Sequence, residues 1–176
     1  MSRTIRYSAS DPTSVERLLD KVTELADSGR ANEALALLTN FDLQSPELLN
    51  ATGVCLMRCE RYDDAIRVFR SYQMAAGGIR TRDDLPNHHR CNFALALGLS
   101  ARVGGMSDVL NEIGNPDDAD VVRTRAILNR WTASLSWTGR LGWWLGVAPD
   151  VPLAVDGPIG TFRPAAVTEQ VTAKTA

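Results

Sequence analysis

The sequence has few cysteines and no long apolar run, and each shortage excludes a class of protein. Its 176 residues include three cysteines, which are too few and of the wrong parity for a disulfide scaffold. No window approaches the roughly 18 apolar residues of a membrane span. The polar stretch 1–14 lacks the apolar core of a signal peptide. We therefore expect a protein of the reducing cytoplasm that has no membrane span.

The chain also lacks a basic excess. Nineteen Lys and Arg residues stand against 21 Asp and Glu residues, which gives a formal net charge of −2. Because nucleic-acid binders usually present a strongly basic surface, we expect no nucleic-acid partner. The composition is 44% apolar and 23% charged, as is ordinary for a soluble globular protein. The length allows one domain with a sizeable core.

What the sequence does contain is a two-helix repeat between Pro46 and Gly77. Proline suits the first turn of a helix, and Ser45 before it is a typical capping residue. A turn at residues 59–62 precedes the second helix, and Gly77-Gly78 are expected to end it. The apolar stripe of that second helix is Ala65, Val68, Phe69 and Tyr72.

The spacing of this repeat resembles the tetratricopeptide repeat (TPR), which sets bulky, small and aromatic residues at fixed offsets over about 34 residues. Counted from Pro46, the matching positions are Leu49, Gly53, Leu56, Ala65 and Phe69. Leu49 replaces the Trp of the family pattern, and Leu56 replaces its Tyr. The resemblance implies that Gly53 and Ala65 are small because two helices cross closely there. It also implies that Phe69 fills the space toward the next repeat.

Weaker copies of the repeat flank this one. Residues 15–45 form a predicted helical hairpin that is interrupted at Ser28-Gly29-Arg30. Residues 91–114 form a third hairpin, in which Gly104-Gly105 are expected to make the turn. The intervening stretch 79–90 is too polar for a core, and we expect a long loop or a helix extension there.

The C-terminal part is expected to close the stack of hairpins. Asp117-Asp118 begin a helix that suits the terminal element of a helical stack, whose last apolar face must be covered. From Gly139 the chain is rich in Gly, Pro and Trp, which predicts a helical turn near 141–145 and then an extended segment. The predicted fold is all-α: a TPR-like right-handed superhelix of helical hairpins with a C-terminal capping helix and an extended tail. Residues 1–10 are expected to be a flexible arm, residues 11–138 the helical domain, and residues 139–176 a tail packed on it with a disordered end.

The resemblance further implies a partner site on the concave surface, which the first helices of such hairpins largely build. The residues carried over to it are Glu16, Asp20, Asp27, Asn50, Val54, Met57, Arg58, Leu95, Leu99 and Arg102. They change from acidic to apolar along the surface, which suits a basic and apolar helix or an extended segment. Thr23 and Ala51 stand where the carboxylate-clamp form of the family needs other residues, so we expect no binding of that kind. Two other interpretations stay open: these are ordinary surface residues, or the chain's own tail fills the groove.

Candidate chemistry is sparse. Cys55 and Cys59 are four residues apart and so lie on one helical face. Together with Cys91, His88 and His89 they are candidates for a zinc site or for a cysteine nucleophile. We expect both histidines in a polar loop and the thiols to behave as small apolar groups. The prediction is therefore no catalytic residue, no cofactor and no metal.

The predicted function is a non-catalytic protein–protein interaction module, an adaptor or scaffold for a protein or peptide partner. One alternative is a small chaperone of an exported or aggregation-prone partner, and a different class is a cysteine- or metal-dependent enzyme. The four tryptophans are Trp131, Trp137, Trp143 and Trp144. Packing of the capping helix and tail is one interpretation of this group, and a homodimer contact or a membrane-interface anchor is another.

Overall fold

The computed structural model describes residues 12–39, 41, 45–75, 78, 80–147, 149 and 151–163. The predicted arm 1–10 and the end of the tail lie outside these residues. Within them the protein is all-helical, as predicted, and its β-pairing consists of one isolated antiparallel bridge between Met74 and Thr81. The helices are α1 (Pro12–Asp27), α2 (Ala31–Leu38), α3 (Pro46–Arg58), α4 (Tyr62–Gln73), α5 (Asn87–Leu99), α6 (Val103–Glu112), α7 (Ala119–Ser134) and α8 (Trp137–Trp144). None of these described helices has the length and apolar character needed to cross a membrane.

Local signals in the sequence begin several helices. Ser45 caps α3, since its hydroxyl accepts a hydrogen bond from the Leu48 N–H at 3.2 Å, and Pro46 occupies the first turn. Asp118 caps α7 by accepting from the N–H groups of Asp120 and Val121. The predictions made at Ser45 and at Asp117-Asp118 are confirmed.

Two predicted helix boundaries are wrong. Helix α4 ends at Gln73 rather than at Gly77-Gly78, because Met74 turns to an extended conformation and pairs with Thr81. Gly104-Gly105 lie inside α6 instead of making the turn before it. That turn is made at Ala101, which adopts a positive φ of 60°, while the Arg102 N–H bonds to the Leu97 carbonyl at 2.8 Å. Two adjacent glycines are typical of a turn, but the hydrogen-bonded turn is centred on Ala101, three residues before Gly104.

The helices pack as consecutive hairpins. The pairs α1–α2, α3–α4 and α5–α6 are in contact, and each hairpin contacts the next through α2–α3 and α4–α5. Helix α3 also touches both α1 and α5, and α7 covers α5 and α6. The α3–α4 crossing is close, since a Cβ on Gly53 would lie 2.4 Å from the Phe69 ring. Phe69 in turn packs 6.2 Å from the ring of Phe93 in α5, so it links the second hairpin to the third.

Residues 80–90, the described part of the predicted loop or helix extension, are more structured than their polarity predicts. Helix α5 begins at Asn87, and the side chains of residues 88–90 are buried. Arg90 donates to the Thr81 hydroxyl at 3.0 and 3.2 Å and to the Glu112 carbonyl at 3.0 Å. The Glu112 carboxylate accepts from the N–H and the hydroxyl of Thr81 at 2.8 and 2.7 Å. These polar groups can be buried because they form hydrogen bonds with one another. The polarity of the single residues does not predict such pairing.

After α7 the chain turns back over the helices. Helix α8 is longer than the single turn predicted near 141–145. Residues 151–163, which we call the return segment, have no regular secondary structure. Leu153 and Phe162 of this segment are buried in the core that the helices form.

Candidate partner-binding site

The residues predicted to contact a partner do not form one open surface. Those of α1, which are Glu16, Asp20 and Asp27, are exposed. In α3 the side chains of Asn50, Val54 and Met57 are fully buried, and Arg58 is partly buried. Leu95 of α5 is buried, Leu99 is partly buried, and Arg102 is exposed in the turn before α6. The expectation that the α3 residues are exposed is therefore wrong.

The return segment covers the α3 residues. Gly160 lies so close to α3 that a Cβ there would be 2.9 Å from the Met57 side chain and about 3.0–3.1 Å from that of Val54. Gly160 also has a positive φ of 75°, a conformation that residues with a Cβ rarely adopt. Glycine is thus required at position 160 for two independent reasons.

Two asparagines hold the main chain beside Gly160. The Asn92 side chain accepts from the Thr161 N–H at 2.9 Å and donates to the Thr161 carbonyl at 2.7 Å. The Asn50 side chain donates to the same carbonyl at 3.2 Å, and Asn92 also donates to the Asn50 amide oxygen at 2.8 Å. These contacts recognise the backbone of residue 161 rather than its side chain.

Arg58 provides a third attachment point. Its Nε donates to the Ile159 carbonyl at 2.9 Å, and its guanidinium lies 4.9 Å from the centroid of the Phe162 ring. Its Nη1 pairs with Asp27 at 2.6 Å. Arg58 and Asp27 were both predicted to bind a partner, and here they bind each other while Arg58 binds the return segment.

The return segment ends beside an acidic cleft. Arg163 pairs with Asp20 of α1 at 2.7 Å. A cleft of about 510 Å³ adjoins this ion pair and is lined by Glu16, Leu19, Asp20, Glu47, Pro86, His88, His89, Phe162 and Arg163. Burial lowers the pKa of His88, and burial together with the neighbouring His88 lowers the pKa of His89 to about 3. Both imidazoles are therefore neutral near pH 7, and Arg163 is the basic residue among the side chains that line this cleft.

We refer to the surface under the return segment as the groove. It is lined by Asp20, Asp27, Asn50, Val54, Met57, Arg58 and Asn92. The sequence placed most of these residues on first helices, and of the interpretations it left open, the structure agrees with the one in which the chain's own tail fills the groove. One signal was available: Asn92 stands within the apolar run 91–99, and a buried amide in such a run needs a hydrogen-bond partner.

The cysteines and histidines are not assembled for metal binding or nucleophilic chemistry. Burial raises the pKa of both Cys55 and Cys91 to about 12, so these thiols stay protonated, whereas the thiolate is the reactive and ligating form. The thiol of Cys59 donates to the Asn32 side chain at 3.3 Å. Across the described ranges, no three His, Cys, Asp or Glu side chains are grouped so that they could hold a metal ion.

Comparison with known proteins adds no assignment. No protein-family model matches the chain, and neither curated proteins nor solved structures gave a significant match.

Proposed function

We propose that this chain is a non-catalytic protein–protein interaction module of TPR type whose groove binds an extended segment of a partner. One observation carries the proposal: the chain's own return segment lies in the groove with the contacts of a bound peptide. Asn92 pairs with both main-chain polar groups of Thr161. This is the hydrogen-bonding pattern by which recognition surfaces hold extended peptides without reading their side chains.

The packing of the hairpins supports the TPR part of this proposal. Small residues at Gly53 and Ala65 permit a close crossing of α3 and α4, and Phe69 packs between consecutive hairpins. Contacts from α1 to α3 and from α3 to α5 place the first helices side by side. A right-handed superhelix whose concave side is formed by α1, α3 and α5 accounts for the close packing within the hairpins and for the contacts between their first helices.

The occupant of the groove indicates the chemistry of the partner. Gly160 occupies a position with no room for a side chain. Phe162 is buried under the guanidinium of Arg58, and Arg163 pairs with Asp20. The preferred partner is therefore a segment with a glycine, then an aromatic residue two positions later and a basic residue after it. This refines the basic and apolar partner that the sequence suggested.

A partner must compete with the return segment. Because that segment is part of the same chain, its effective concentration at the groove is on the order of millimolar. The apparent affinity for a partner is reduced by the fraction of molecules whose groove is closed. Weakening the return segment should therefore strengthen partner binding.

The three free cysteines are consistent with a reducing compartment such as the cytoplasm.

Affinity capture with three forms of the full chain tests the proposal: the natural sequence, Phe162→Ala, and Phe162→Ala combined with Asn92→Ala. Phe162→Ala loosens the occupant and leaves the groove intact, so it should capture more of the specific partners than the natural chain does. The double variant loses the asparagine contact and should release them. Equal capture by all three forms would exclude the groove as the binding site. Asp20→Lys is a further variant at an exposed residue, and it should weaken capture of a partner whose basic residue pairs with Asp20.

A further inference from the structure

Helix α8 presents an apolar face to solvent. Trp137 is 76% exposed and Trp144 is 80% exposed, and Leu141 and Leu145 are exposed beside them. These four residues are spaced at i, i+4, i+7 and i+8, so they share one side of the helix. Val147, just after the helix, is also exposed. The tryptophan group of the sequence is thus divided between a packed pair, Trp131 with Trp143, and an exposed pair.

The packed pair attaches α8 to α7. The Trp131 and Trp143 rings meet edge to face at 5.2 Å, and the Trp131 Nε1 donates to the Val151 carbonyl at 2.9 Å. At the helix start Ser136 accepts from the Gly139 N–H at 3.2 Å. At its end the Val147 N–H bonds to the Gly142 carbonyl at 2.8 Å. These bonds stabilise α8 as a helix, so its apolar side chains stay on one side of it.

The area of this face matches what a dimer needs. The two exposed indoles leave roughly 300–400 Å² in contact with solvent, and the aliphatic side chains bring the total to roughly 500 Å². An interface of ordinary size covers about 800 Å² on each partner, of which about 450 Å² is apolar. The largest apolar patch of a typical soluble monomer is about 300–600 Å² and is often functional, and this face falls in that range.

The charges around the face favour a second copy over a lipid surface. Arg140 is the one charged residue between positions 136 and 147, and its guanidinium donates to the Ala133 carbonyl at 2.5 Å. Helices that lie on membranes usually carry several Lys or Arg residues on the polar side. Within residues 136–147 there is no carboxylate or ammonium group, and the exposed Arg140 donates back to the Ala133 carbonyl, so a two-fold contact between copies would bring together mainly apolar side chains.

We propose that the apolar face of α8 is the interface of a homodimer, in which the α8 helices of two chains pack against each other about a two-fold axis. Trp137 and Trp144 supply most of the buried area, since Trp residues commonly dominate interface energetics. The interface uses none of the groove residues. Dimer formation and partner binding are therefore separable.

Sedimentation equilibrium of the full chain across the micromolar range tests this interface. The natural chain should have the mass of two chains, and Trp144→Glu and Trp137→Glu should each weaken the dimer about thirtyfold or more. Val122→Glu is the matched control, because Val122 is 52% exposed in the first turn of α7 and lies outside this face. That variant should remain dimeric, and circular dichroism should show the same helicity for every form.

Three results would overturn the proposal. The first is a single-chain mass for the natural sequence at every concentration. The second is a dimer that persists in both Trp variants. The third is a single-chain mass combined with Trp144-dependent sedimentation on vesicles of phosphatidylcholine and phosphatidylserine, which would assign the face to a membrane surface instead.

Discussion

Asn92 forms two hydrogen bonds with Thr161, one to its carbonyl at 2.7 Å and one from its N–H at 2.9 Å. Asn92 is buried and lies 69 positions before Thr161 in the chain. The pair fastens the return segment to α5. It also shows how the groove forms hydrogen bonds with the main chain of a bound segment. The same pair of hydrogen bonds therefore stabilises the fold and supports the proposed function.

Replacing Asn92 should destabilise the protein. Asn92→Ala leaves the N–H and carbonyl of Thr161 without that partner, and an unpaired buried polar group costs about 1–3 kcal/mol. We expect the free energy of unfolding in urea to fall by about 2 kcal/mol and the Thr161 amide to exchange faster with solvent. Asn129→Ala, at an exposed position of α7, is the control and should change stability by less than about 0.5 kcal/mol. Equal effects of the two substitutions would contradict the role of Asn92.

A pair of glycines separates backbone strain from close packing in the return segment. Gly157 and Gly160 both have positive φ, 89° and 75°, but a Cβ on Gly157 would meet no atom within 4 Å. Gly157→Ala should therefore show only the conformational cost, about 1–2 kcal/mol. Gly160→Ala adds a clash with Val54 and Met57 and should cost about 1–3 kcal/mol more. Urea denaturation of the two variants measures this difference, and a difference near zero would mean that the contact with α3 is looser than the structure shows.

The α3–α4 crossing makes a similar prediction. Gly53→Ala places a Cβ 2.4 Å from the Phe69 ring, and overpacking of this kind costs about 1–3 kcal/mol. Gly104→Ala lies in α6 with no atom within 4 Å of the new Cβ. It should stabilise the protein by up to about 1 kcal/mol, because alanine favours helix more than glycine does. Opposite shifts in melting temperature are therefore expected, and shifts of the same sign would contradict the packing at Gly53.

His89 should make the stability depend on pH. Burial lowers its pKa from the ordinary value of 6.5 to about 3, so between these values the unfolded chain binds a proton that the folded chain does not. Stability is therefore unaffected by His89 above about pH 6.5 and decreases as the pH falls below it, by up to about 1.4 kcal/mol per pH unit. His88, whose pKa is also lowered by burial, contributes in the same direction.

His89→Phe tests this dependence, because phenylalanine keeps an aromatic ring beside Tyr72 but does not titrate. Urea denaturation at about pH 7 and about pH 5 should show a smaller loss of stability in the variant than in the natural chain. The substitution also removes an Nδ1 atom that is buried and has no hydrogen-bond partner among the residues that the structure describes. An unchanged pH dependence would show that His89 is not the group responsible.

The sequence predicted the helical class and several boundaries because those depend on neighbouring residues. Ser45 with Pro46, and Asp118 before α7, act on N–H groups within the next turn. The small size of Gly53 was also interpretable, because the spacing of the repeat places it opposite Phe69.

The candidate site was less predictable because its contacts are distant in sequence. Asn50 and Asn92 meet Thr161 across separations of 111 and 69 positions, and no local pattern records such pairings. Val54 and Met57 are buried where Gly160 of the same segment packs against α3. The buried position of His88 and His89 similarly depends on how α5 packs, since their polar sequence context indicates a loop.

Binding of a peptide in trans is the most direct test of the central claim. A fluorescent peptide with the sequence of residues 155–163 would be titrated with the natural chain, with Phe162→Ala and with Phe162→Ala combined with Asn92→Ala, and its anisotropy followed. A peptide of the same composition in scrambled order is the control. We predict that Phe162→Ala binds the peptide more tightly than the natural chain does, and that the added Asn92→Ala substitution abolishes this binding. Absence of binding to Phe162→Ala, or binding that Asn92→Ala leaves unchanged, would contradict the claim that the groove is a peptide site.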